Sequence, residues 1–574
     1  MFPGGLAEQA EYDFIVCGAG TSGCVVAGRL AEDSNARILL VEAGPHNRDL
    51  ENVHMVGGWS KNFDSETDWN LVTEPMQGVD GRRVKLSRGK FLGGSSGVNG
   101  TLCIRGSKQD FDDWNLPGWS GDDMFAYMRK AESFHNKPWF QADEKAHGYH
   151  GPLHTEPHDL APISKLLLES MESMGLPLVH DMFSNGRTPH GCGHAPRTHY
   201  RGIRTTAADF VTNARHRENI DIVVETLVAK INFEESDGDG ELRATSVTLV
   251  DKSGGKREVK ARKEIIVSAG AYCSPAILLR SGIGPEAELE QLGIQCIVDL
   301  PGVGKNLLDH LIVFAFYETE KEGLTNDSLV YHGDAAMAAY MLYKDKKEGV
   351  LSTFPFGAFA YARLDDRLKD EPVWKEAKRE PGRDPMGLTP SQPNIEFFTT
   401  ELYGGPKQYD DFPIELDKKH AFAIITELFA PRSRGTVTLR SKEPFETPVI
   451  DCNYLADPLD LLVLTEGCRL GNEIVMQGAG TRAVVKGSWP PNLTHHAFTT
   501  REDWVPYVTQ QATTCYHAAG TCKMGRADDN MAVLDEKLRV RRVKGLRVAD
   551  CSVMPTLHGG HTQMPAYGPV RVRA

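Results

Sequence analysis

Residues 12–33 read YDFIVCGAGTSGCVVAGRLAED, and this stretch decides the fold. Its apolar run FIV predicts a buried parallel strand, and the segment CVVAGRLAE that follows has the periodicity of a helix. Gly18, Gly20 and Gly23 form the pattern GxGxxG. Such glycines allow a tight turn, the approach of a pyrophosphate to the backbone, and the packing of helix on strand. The stretch therefore predicts a strand–turn–helix unit that holds phosphate groups at the helix N-terminus.

A second predicted strand, ARILLVEAG, runs into Glu42, about twenty residues beyond Gly23, which is the interval of the acid that holds a ribose diol. We expect Thr21, Ser22 and Ala43, which flank these residues, to contact the same cofactor. NAD and FAD both carry an adenosine diphosphate half, so these motifs do not separate the two.

The composition narrows the class of protein. The chain has 574 residues, of which 40% are hydrophobic and 25% are charged, as in a soluble α/β enzyme with more than one domain. Its formal net charge of -14 argues against nucleic acid or an anionic membrane as a partner. The sequence has no long apolar run, so we expect no membrane span.

The eleven cysteines do not suggest a disulfide framework. Cys17, Cys24, Cys273 and Cys551 lie in or beside apolar runs, where they would be small buried hydrophobes. The sequence has no CxxC pair and no HExxH motif, so we expect no metal site. The N-terminal stretch MFPGGLAEQAEYDF lacks the regions of a secretory signal, which favours an intracellular protein, cytoplasmic or peroxisomal.

Two further stretches identify the cofactor. They are RGKFLGGSSGVNG at 88–100 and GAYCSPAILLRSGIGP at 270–285. At every fixed position they match the two signatures of the glucose-methanol-choline family of FAD oxidoreductases, which the chain resembles. DFDDWNLPGWSGDD at 110–123, LPGVGKNLLDH at 300–310 and LRVADCSVMP at 546–555 are similar to further landmarks of that family, so the resemblance covers nearly the whole chain.

The resemblance implies an architecture. It is an α/β, two-domain fold, in which a Rossmann-like FAD-binding domain is interleaved with a substrate domain built on an antiparallel sheet with helices. The strand-like runs NIEFFTTELY, HAFAIITELF and GTVTLRS agree with such a sheet. The expected FAD-binding segments are 11–160, 215–312 and 515–574, and the expected substrate-binding segments are 161–214 and 313–514.

The resemblance also implies which residues contact FAD. The glycine-rich loop offers consecutive backbone N–H groups to a pyrophosphate and an isoalloxazine ring. The backbone of Val228 would contact the adenine, unless its segment is simply a sheet strand. Some relatives tether the flavin through a histidine before the signature asparagine, where this chain has Val98, so we expect non-covalent FAD. The remaining expected contacts are Arg88, Gly93, Gly94, Ser95, Asn99, Gly100, Asp550, Cys551, Thr562 and Gln563.

His517 lies in CYHAAGTCKMG at 515–525. On its own this histidine could be a general base or a packed ring with both nitrogens satisfied. HAAGTCKMG matches the family pattern H-x-x-G-T-x-x-M-G, and VMPTLHGGHTQMP supplies His561 at the interval of the second catalytic residue. The resemblance implies that His517 takes the hydroxyl proton of an alcohol while the flavin takes the hydride, and that His561 orients the substrate oxygen. The imidazolium of His517 would then stabilise reduced oxygen in the return reaction.

These residues predict FAD-dependent oxidation of a primary alcohol, aryl or aliphatic, to the aldehyde. The electron acceptor is O2, giving H2O2, or another acceptor. The alternatives are a lyase or cyclase of the same family that keeps FAD without redox chemistry, and an inactive FAD-bound scaffold. The formate-oxidase-like branch has an arginine where this chain has His561, which disfavours formate as substrate. The sequence predicts neither the particular alcohol nor the oligomeric state.

Three further features are two aromatic residues, a polar segment and the C-terminal stretch. Tyr516 and Trp489 are candidates for either the substrate pocket or core packing. Segment 363–393 is polar and proline-rich, and we expect a solvated excursion there, with a lid or a subunit contact as the alternatives. After HTQMPAY the family normally continues into a helix, whereas this chain ends GPVRVRA, in which proline follows glycine and is unsuited to a helix interior.

Overall fold

The GxGxxG stretch forms strand Glu11–Cys17 and helix Thr21–Leu30 in the computed structural model of the chain. The structure describes residues 11–33, 35–213, 217–235, 242–319, 321–331, 333–403 and 419–568. Most of the N-terminal stretch considered for a targeting signal, and the tail beyond Gly568, lie outside the described residues.

Strand Glu11–Cys17 lies in the middle of a seven-stranded mixed sheet. The parallel strands end at one edge of this sheet, so that Gly18, Glu42 and Ser268, which directly follow three of them, share that edge. In order across the sheet the strands are Ile220–Val223, Ile38–Val41, Glu11–Cys17, Lys256–Val267, Leu242–Asp251 and Thr226–Glu235, with Leu546–Val548 beside Lys256–Val267.

A second seven-stranded sheet is antiparallel. In order across it the strands are Val485–Ser488, Leu311–Thr319, Ala421–Leu428, Ile395–Thr400, Phe356–Ala362 and Gly191–Gly193, with Thr513–Thr514 beside Leu311–Thr319. These two sheets confirm the predicted α/β class with a Rossmann-like unit and an antiparallel sheet, while the residue boundaries given above for the domains stay a prediction.

The two faces of the antiparallel sheet have different neighbours because side chains alternate along each strand. Ile395 and Phe397 belong to the hydrophobic cluster that includes helix Pro458–Gln477. Phe398 belongs to a separate aromatic cluster on the opposite face. Glu396 shares the parity of Phe398, so this acid also lies on the aromatic face of the sheet.

Helices cover both sheets. The longer ones are Thr21–Leu30, Gly121–Ala131, Pro162–Ser173, Gly270–Arg280, Gly333–Lys346, Pro458–Gln477 and Arg501–Gln511. Within the described part of the chain no helix has both the length and the apolar character needed to cross a membrane.

The expectation of a solvated excursion at segment 363–393 is wrong for its two helices, although residues 378–382 are exposed. Its helices Asp365–Leu368 and Pro372–Glu376 bury Leu368 and Trp374 in the core cluster that also contains helix Pro458–Gln477. Arg367 of the segment pairs with two acids of that long helix. The apolar side chains were too widely spaced among charges to reveal this packing from the sequence.

A buried charged cluster anchors the segment that leads out of the glycine-rich loop. Arg105 has no solvent exposure, and its guanidinium lies 2.7 Å from a Glu132 carboxylate oxygen. His147 lies between this carboxylate and Asp181, with its Nε2 2.9 Å from the second acid. Burial acts to raise the pKa of Glu132, but Arg105 and His147 outweigh it and hold the pKa at about 2. The carbonyl of Ile104, next to Arg105 in the chain, accepts the backbone N–H of His561, which is one of the two predicted catalytic residues.

We predict that Arg105→Met destabilises the protein by about 3–5 kcal/mol, because it leaves the Glu132 carboxylate buried without its main cation. Thermal denaturation followed by circular dichroism should show a lower Tm. Arg526→Met is the matched control, since the Arg526 side chain is 63% exposed and its nearest carboxylate is 3.7 Å away. An unchanged Tm for Arg105→Met would contradict the anchoring role.

Candidate active site

The predicted site residues converge on one cavity. Every expected FAD contact except Gly23 and Gly93 lines it, together with His517 and His561. Gly93 instead makes a turn with a φ of 98°. The lining members are Gly18, Gly20, Thr21, Ser22, Glu42, Ala43, Arg88, Gly94, Ser95, Asn99, Gly100, Val228, Asp550, Cys551, Thr562 and Gln563.

The three motif glycines have different surroundings. A Cβ at Gly23 would lie 1.9 Å from the carbonyl oxygen of Gly18, and a Cβ at Gly18 would lie 2.6 Å from that of Ser268. A Cβ at Gly20 would meet no protein atom within 4 Å. Gly18 and Gly23 are therefore required by the packing of the chain, whereas the space beside Gly20 belongs to the cavity. That space fits a pyrophosphate at the start of helix Thr21–Leu30.

Glu42 offers a carboxylate to the same cavity. Its oxygens accept hydrogen bonds from the backbone N–H groups of Ala19 (3.1 Å) and Gly44 (2.9 Å). Burial raises the pKa of Glu42 to about 7. A fixed carboxylate with unused acceptor positions fits the hydroxyls of a ribose.

Asn99 is held firmly at the other side of the cavity. The guanidinium of Arg204 donates to the backbone oxygen (2.7 Å) and the side-chain oxygen (2.8 Å) of Asn99. The amide nitrogen of Asn99 donates to the side-chain oxygen of Gln563. Val98, directly before it, lines the cavity with an aliphatic side chain. A valine has no nucleophilic atom with which to tether a flavin.

Backbone contacts fix the position of His517. It follows strand Thr513–Thr514, and its backbone N–H donates to Asp309 Oδ1 (2.8 Å). The other oxygen of Asp309 accepts from the hydroxyls of Thr514 (2.6 Å) and Tyr454. Asp309 belongs to the LPGVGKNLLDH landmark, so the structure gives that motif a role in holding the histidine.

Tyr516 has a strained backbone that turns its ring into the cavity. Its φ is 62°, which is unusual for a bulky residue and costs about 1–3 kcal/mol. Its N–H donates to Thr514 Oγ1 (2.7 Å), and its ring centroid lies 5.7 Å from the Arg88 guanidinium. Of the two aromatic candidates, Tyr516 lines the cavity, whereas Trp489 is buried in the aromatic cluster outside the cavity lining.

A tight turn presents His561 to the same cavity. Its backbone N–H donates to the carbonyl of Ile104 (3.0 Å), and the N–H of Gly559 donates to Asp110 Oδ2 (2.9 Å). The ring centroids of His517 and His561 are 4.7 Å apart. The two rings therefore lie next to each other at one cavity.

Two buried glutamates that sequence reasoning missed lie behind the histidines. His561 Nε2 is 2.7 Å from Glu396 Oε2 and 3.5 Å from Glu427 Oε2. His517 Nδ1 is 3.1 Å from Glu427 Oε1. The sequence did contain a signal for them, because each of the apolar strands NIEFF and AIITELF carries one glutamate. A glutamate in a buried strand almost always has a charged or hydrogen-bonded partner.

These contacts give the histidines different charges. Burial lowers the pKa of His517 to about 3, which the Glu427 carboxylate offsets in part. Burial also acts to lower the pKa of His561, but Glu396 and Glu427 outweigh it and raise the pKa to about 10. At neutral pH His517 is neutral and His561 is a cation.

Two trios of ligand-type atoms occur here, one in His310, Glu427 and His517, the other in Glu396, Glu427 and His561. Ligands of a tetrahedral zinc ion lie about 3.4 Å apart. In the first trio the atoms are 2.9–3.1 Å apart, which is a hydrogen-bond spacing. The expectation that the protein has no metal site stays a prediction.

Aromatic rings line the cavity near the histidines. Trp59 lies 4.9 Å from Phe354, Phe354 lies 4.6 Å from Phe356, and Phe356 lies 5.1 Å from Phe398, measured between ring centroids. Phe398 in turn is 5.9 Å from the ring of His561. Apart from Phe354 and Phe356, the rings come from separate chain segments, so sequence spacing gave no sign that they form one wall.

The chain is similar to known proteins over nearly its full length. Two models described as GMC oxidoreductase match residues 12–312 and 431–568. An oxygen-dependent choline dehydrogenase of Pseudomonas fluorescens is 34% identical, over 97% of this chain and 91% of its own length. A glucose dehydrogenase of Drosophila pseudoobscura pseudoobscura, named for FAD and quinone, is 33% identical, over 97% of this chain and 85% of its own.

Solved structures agree with these matches. The crystal structure of a formate oxidase is 30% identical and has a TM-score of 0.89, covering 98% of this chain and 97% of its own. The signatures, the cavity and these matches lead to one conclusion. The chain belongs to the GMC oxidoreductase family and is an FAD-dependent oxidoreductase that acts on CH–OH donors.

Proposed function

We propose that this protein oxidises a primary alcohol to an aldehyde, with His517 as the general base. The observation that carries the proposal is the pair of histidines whose ring centroids lie 4.7 Å apart at one cavity. Their surroundings lower the pKa of His517 and raise the pKa of His561. Bound FAD supplies the acceptor for the hydride. O2 or another oxidant then takes the electrons, since one relative is named for oxygen and another for quinone.

The histidines divide the work on the substrate. Nε2 of His517 makes no hydrogen bond within the described chain, so its lone pair can accept the hydroxyl proton as the C–H bond breaks. The cationic His561 stabilises the negative charge that develops on the substrate oxygen. Alignment of the two groups with the reacting carbon contributes several kcal/mol, about the order found for well-oriented reactions.

The residues that hold FAD are proposed to be those that line the cavity, with Gly20 beside the phosphates and Glu42 on a ribose. Gly23 and Gly93 act through the backbone shape rather than by contact. FAD is held without a covalent link, because Val98 replaces the tethering histidine of some relatives.

The aromatic wall favours an alcohol with a flat apolar group. A sugar would lose the hydrogen bonds of its hydroxyls to water against Trp59, Phe354 and Phe356. A quaternary ammonium would meet the cation of His561. No observation favours the lyase alternative, and the relatives reported above are named as dehydrogenases or as an oxidase.

A panel of alcohols tests the reaction. In anaerobic mixing, benzyl alcohol should bleach the bound flavin at least about tenfold faster than glucose, because aromatic rings line the cavity near the histidines. Choline serves as the charged comparison and should also be slow. Failure of every alcohol to bleach the flavin would contradict the proposed function, and fastest bleaching by glucose would contradict the aromatic assignment.

His517→Ala should keep its FAD but lose flavin reduction by roughly a hundredfold or more, the scale for removing a general base. His561→Ala should cost less, and the double variant should cost less than the product of both effects because the residues act as a unit. His190→Ala, at an exposed histidine, is the control. Wild-type reduction rates in His517→Ala would show that this residue is not the base.

Gly20→Ala and Gly23→Ala separate cofactor binding from folding. Gly20→Ala should fold but lose FAD, because its methyl group would occupy the cavity. Gly23→Ala should fail to accumulate as folded protein, because its Cβ would overlap the Gly18 carbonyl. Acid precipitation should release yellow FAD from wild type into the supernatant. Full FAD in Gly20→Ala, or colour that stays in the wild-type pellet, would contradict this account.

A further inference from the structure

Glu396 and Glu427 lie directly opposite each other on the adjacent strands Ile395–Thr400 and Ala421–Leu428. Neither side chain is exposed to solvent. Like charges at opposed positions of an antiparallel pair destabilise a sheet, and burial increases the cost. Such a pair requires protons or cations close by.

Glu427 contacts more side chains than Glu396 does. Its Oε1 lies 2.9 Å from Nδ1 of His310 and 3.1 Å from Nδ1 of His517. Its Oε2 accepts from the thiol of Cys515 (3.3 Å) and approaches His561 Nε2 at 3.5 Å. One carboxylate thus contacts both catalytic histidines and a third ring behind them.

The contacts limit where the ring protons lie. Nδ1 of His310 and Nδ1 of His517 are also 3.0 Å apart, and a single hydrogen shared between them would leave a ring lone pair against the carboxylate Oε1. Hydrogen on both Nδ1 atoms lets each ring donate to Oε1, which can accept two hydrogen bonds. His310 Nε2 then remains a buried acceptor without a partner, and Nε2 of His517 faces the cavity as an acceptor. His561 donates Nε2–H to Glu396.

We propose, on the basis of the proposed function, that Glu427 and Glu396 are positioning residues that assign opposite roles to the two histidines. Glu427 fixes the tautomer of His517 that leaves Nε2 able to take the alcohol proton. Glu396, with Glu427 behind it, keeps His561 as the cation. His561 is thus the cation at rest, and the imidazolium expected at His517 in the return reaction forms only after that ring has taken the alcohol proton.

The proton transfer balances within this arrangement. The hydroxyl proton moves to Nε2 of His517, the carbon gives its hydride to FAD, and the former hydroxyl oxygen becomes the carbonyl oxygen. His517 then carries hydrogen on both nitrogens, and its Nδ1–H bond to the Glu427 carboxylate becomes charge-assisted, which strengthens it. No further proton needs to enter or leave during this step.

Other titratable groups that face the two rings do not supply the charge. Burial raises the pKa of the Cys515 thiol and the Tyr361 hydroxyl, so both keep their protons, and it lowers the pKa of His558 to about 3. Burial also raises the pKa of Asp309, whose oxygens are taken by Thr514, Tyr454 and a backbone N–H. His310 shares the Glu427 oxygen already described.

The test measures the limiting rate of anaerobic flavin reduction by benzyl alcohol in the holoenzyme, from about pH 6 to 11. Glu427→Gln should reduce this rate about 10- to 100-fold at neutral pH with unchanged FAD content, because no charge stabilises the protonated His517. Glu396→Gln should move the alkaline decline of the rate to lower pH by at least about one unit, because His561 loses its proton more easily. Glu396→Asp, which keeps the charge, should restore part of that shift.

Glu401→Gln is the matched control. Glu401 is also a buried acid, and it bonds to His158, Ser164 and the N–H of Ala161, away from the cavity lining. Its change should affect stability but not the pH profile. Wild-type rates and profiles in both Glu427→Gln and Glu396→Gln would overturn the inference. If Glu427→Gln does not fold, the profile of Glu396→Gln decides alone. Absence of reduction in wild type would instead contradict the proposed function.

Discussion

The end of the cavity that holds His517 and His561 depends on two carboxylates that the sheet register brings together. Glu396 and Glu427 face each other with no access to water. Burial raises the pKa of Glu396 to about 7, whereas the surrounding histidines hold the pKa of Glu427 well below its ordinary value. His310, His517 and His561 each place a ring nitrogen against one of the two acids.

A different constraint shapes the cofactor end. The close approach of Gly23 to Gly18 holds helix Thr21–Leu30 against the end of strand Glu11–Cys17 and leaves space at Gly20. The antiparallel sheet carries the glutamates, and its neighbours Asp309 and Thr514 hold His517. Both sheets therefore contribute to the cavity, and in the proposed reaction one positions the cofactor and the other the groups that transfer the proton.

Local patterns in the sequence predicted the cofactor unit well. GxGxxG lies within one strand–turn–helix unit, Glu42 directly follows the neighbouring strand Ile38–Val41, and His517 and His561 lie in dense motifs. The aromatic wall and the glutamates could not be predicted in the same way, because they arise from packing between segments that are distant in the sequence. The expectation that segment 363–393 is solvated failed in part for a related reason. Leu368 and Trp374 are buried by tertiary packing, which the charged residues around them in the sequence conceal.

Before substrate arrives, the two histidines are proposed to differ in protonation, with His517 neutral and His561 protonated on both ring nitrogens. Neutron diffraction from crystals of the oxidised holoenzyme, exchanged into D2O at neutral pH, would measure this directly. We predict deuterium on Nδ1 but not on Nε2 of His517, and deuterium on both ring nitrogens of His561. Deuterium on Nε2 of His517, or a neutral His561, would contradict it.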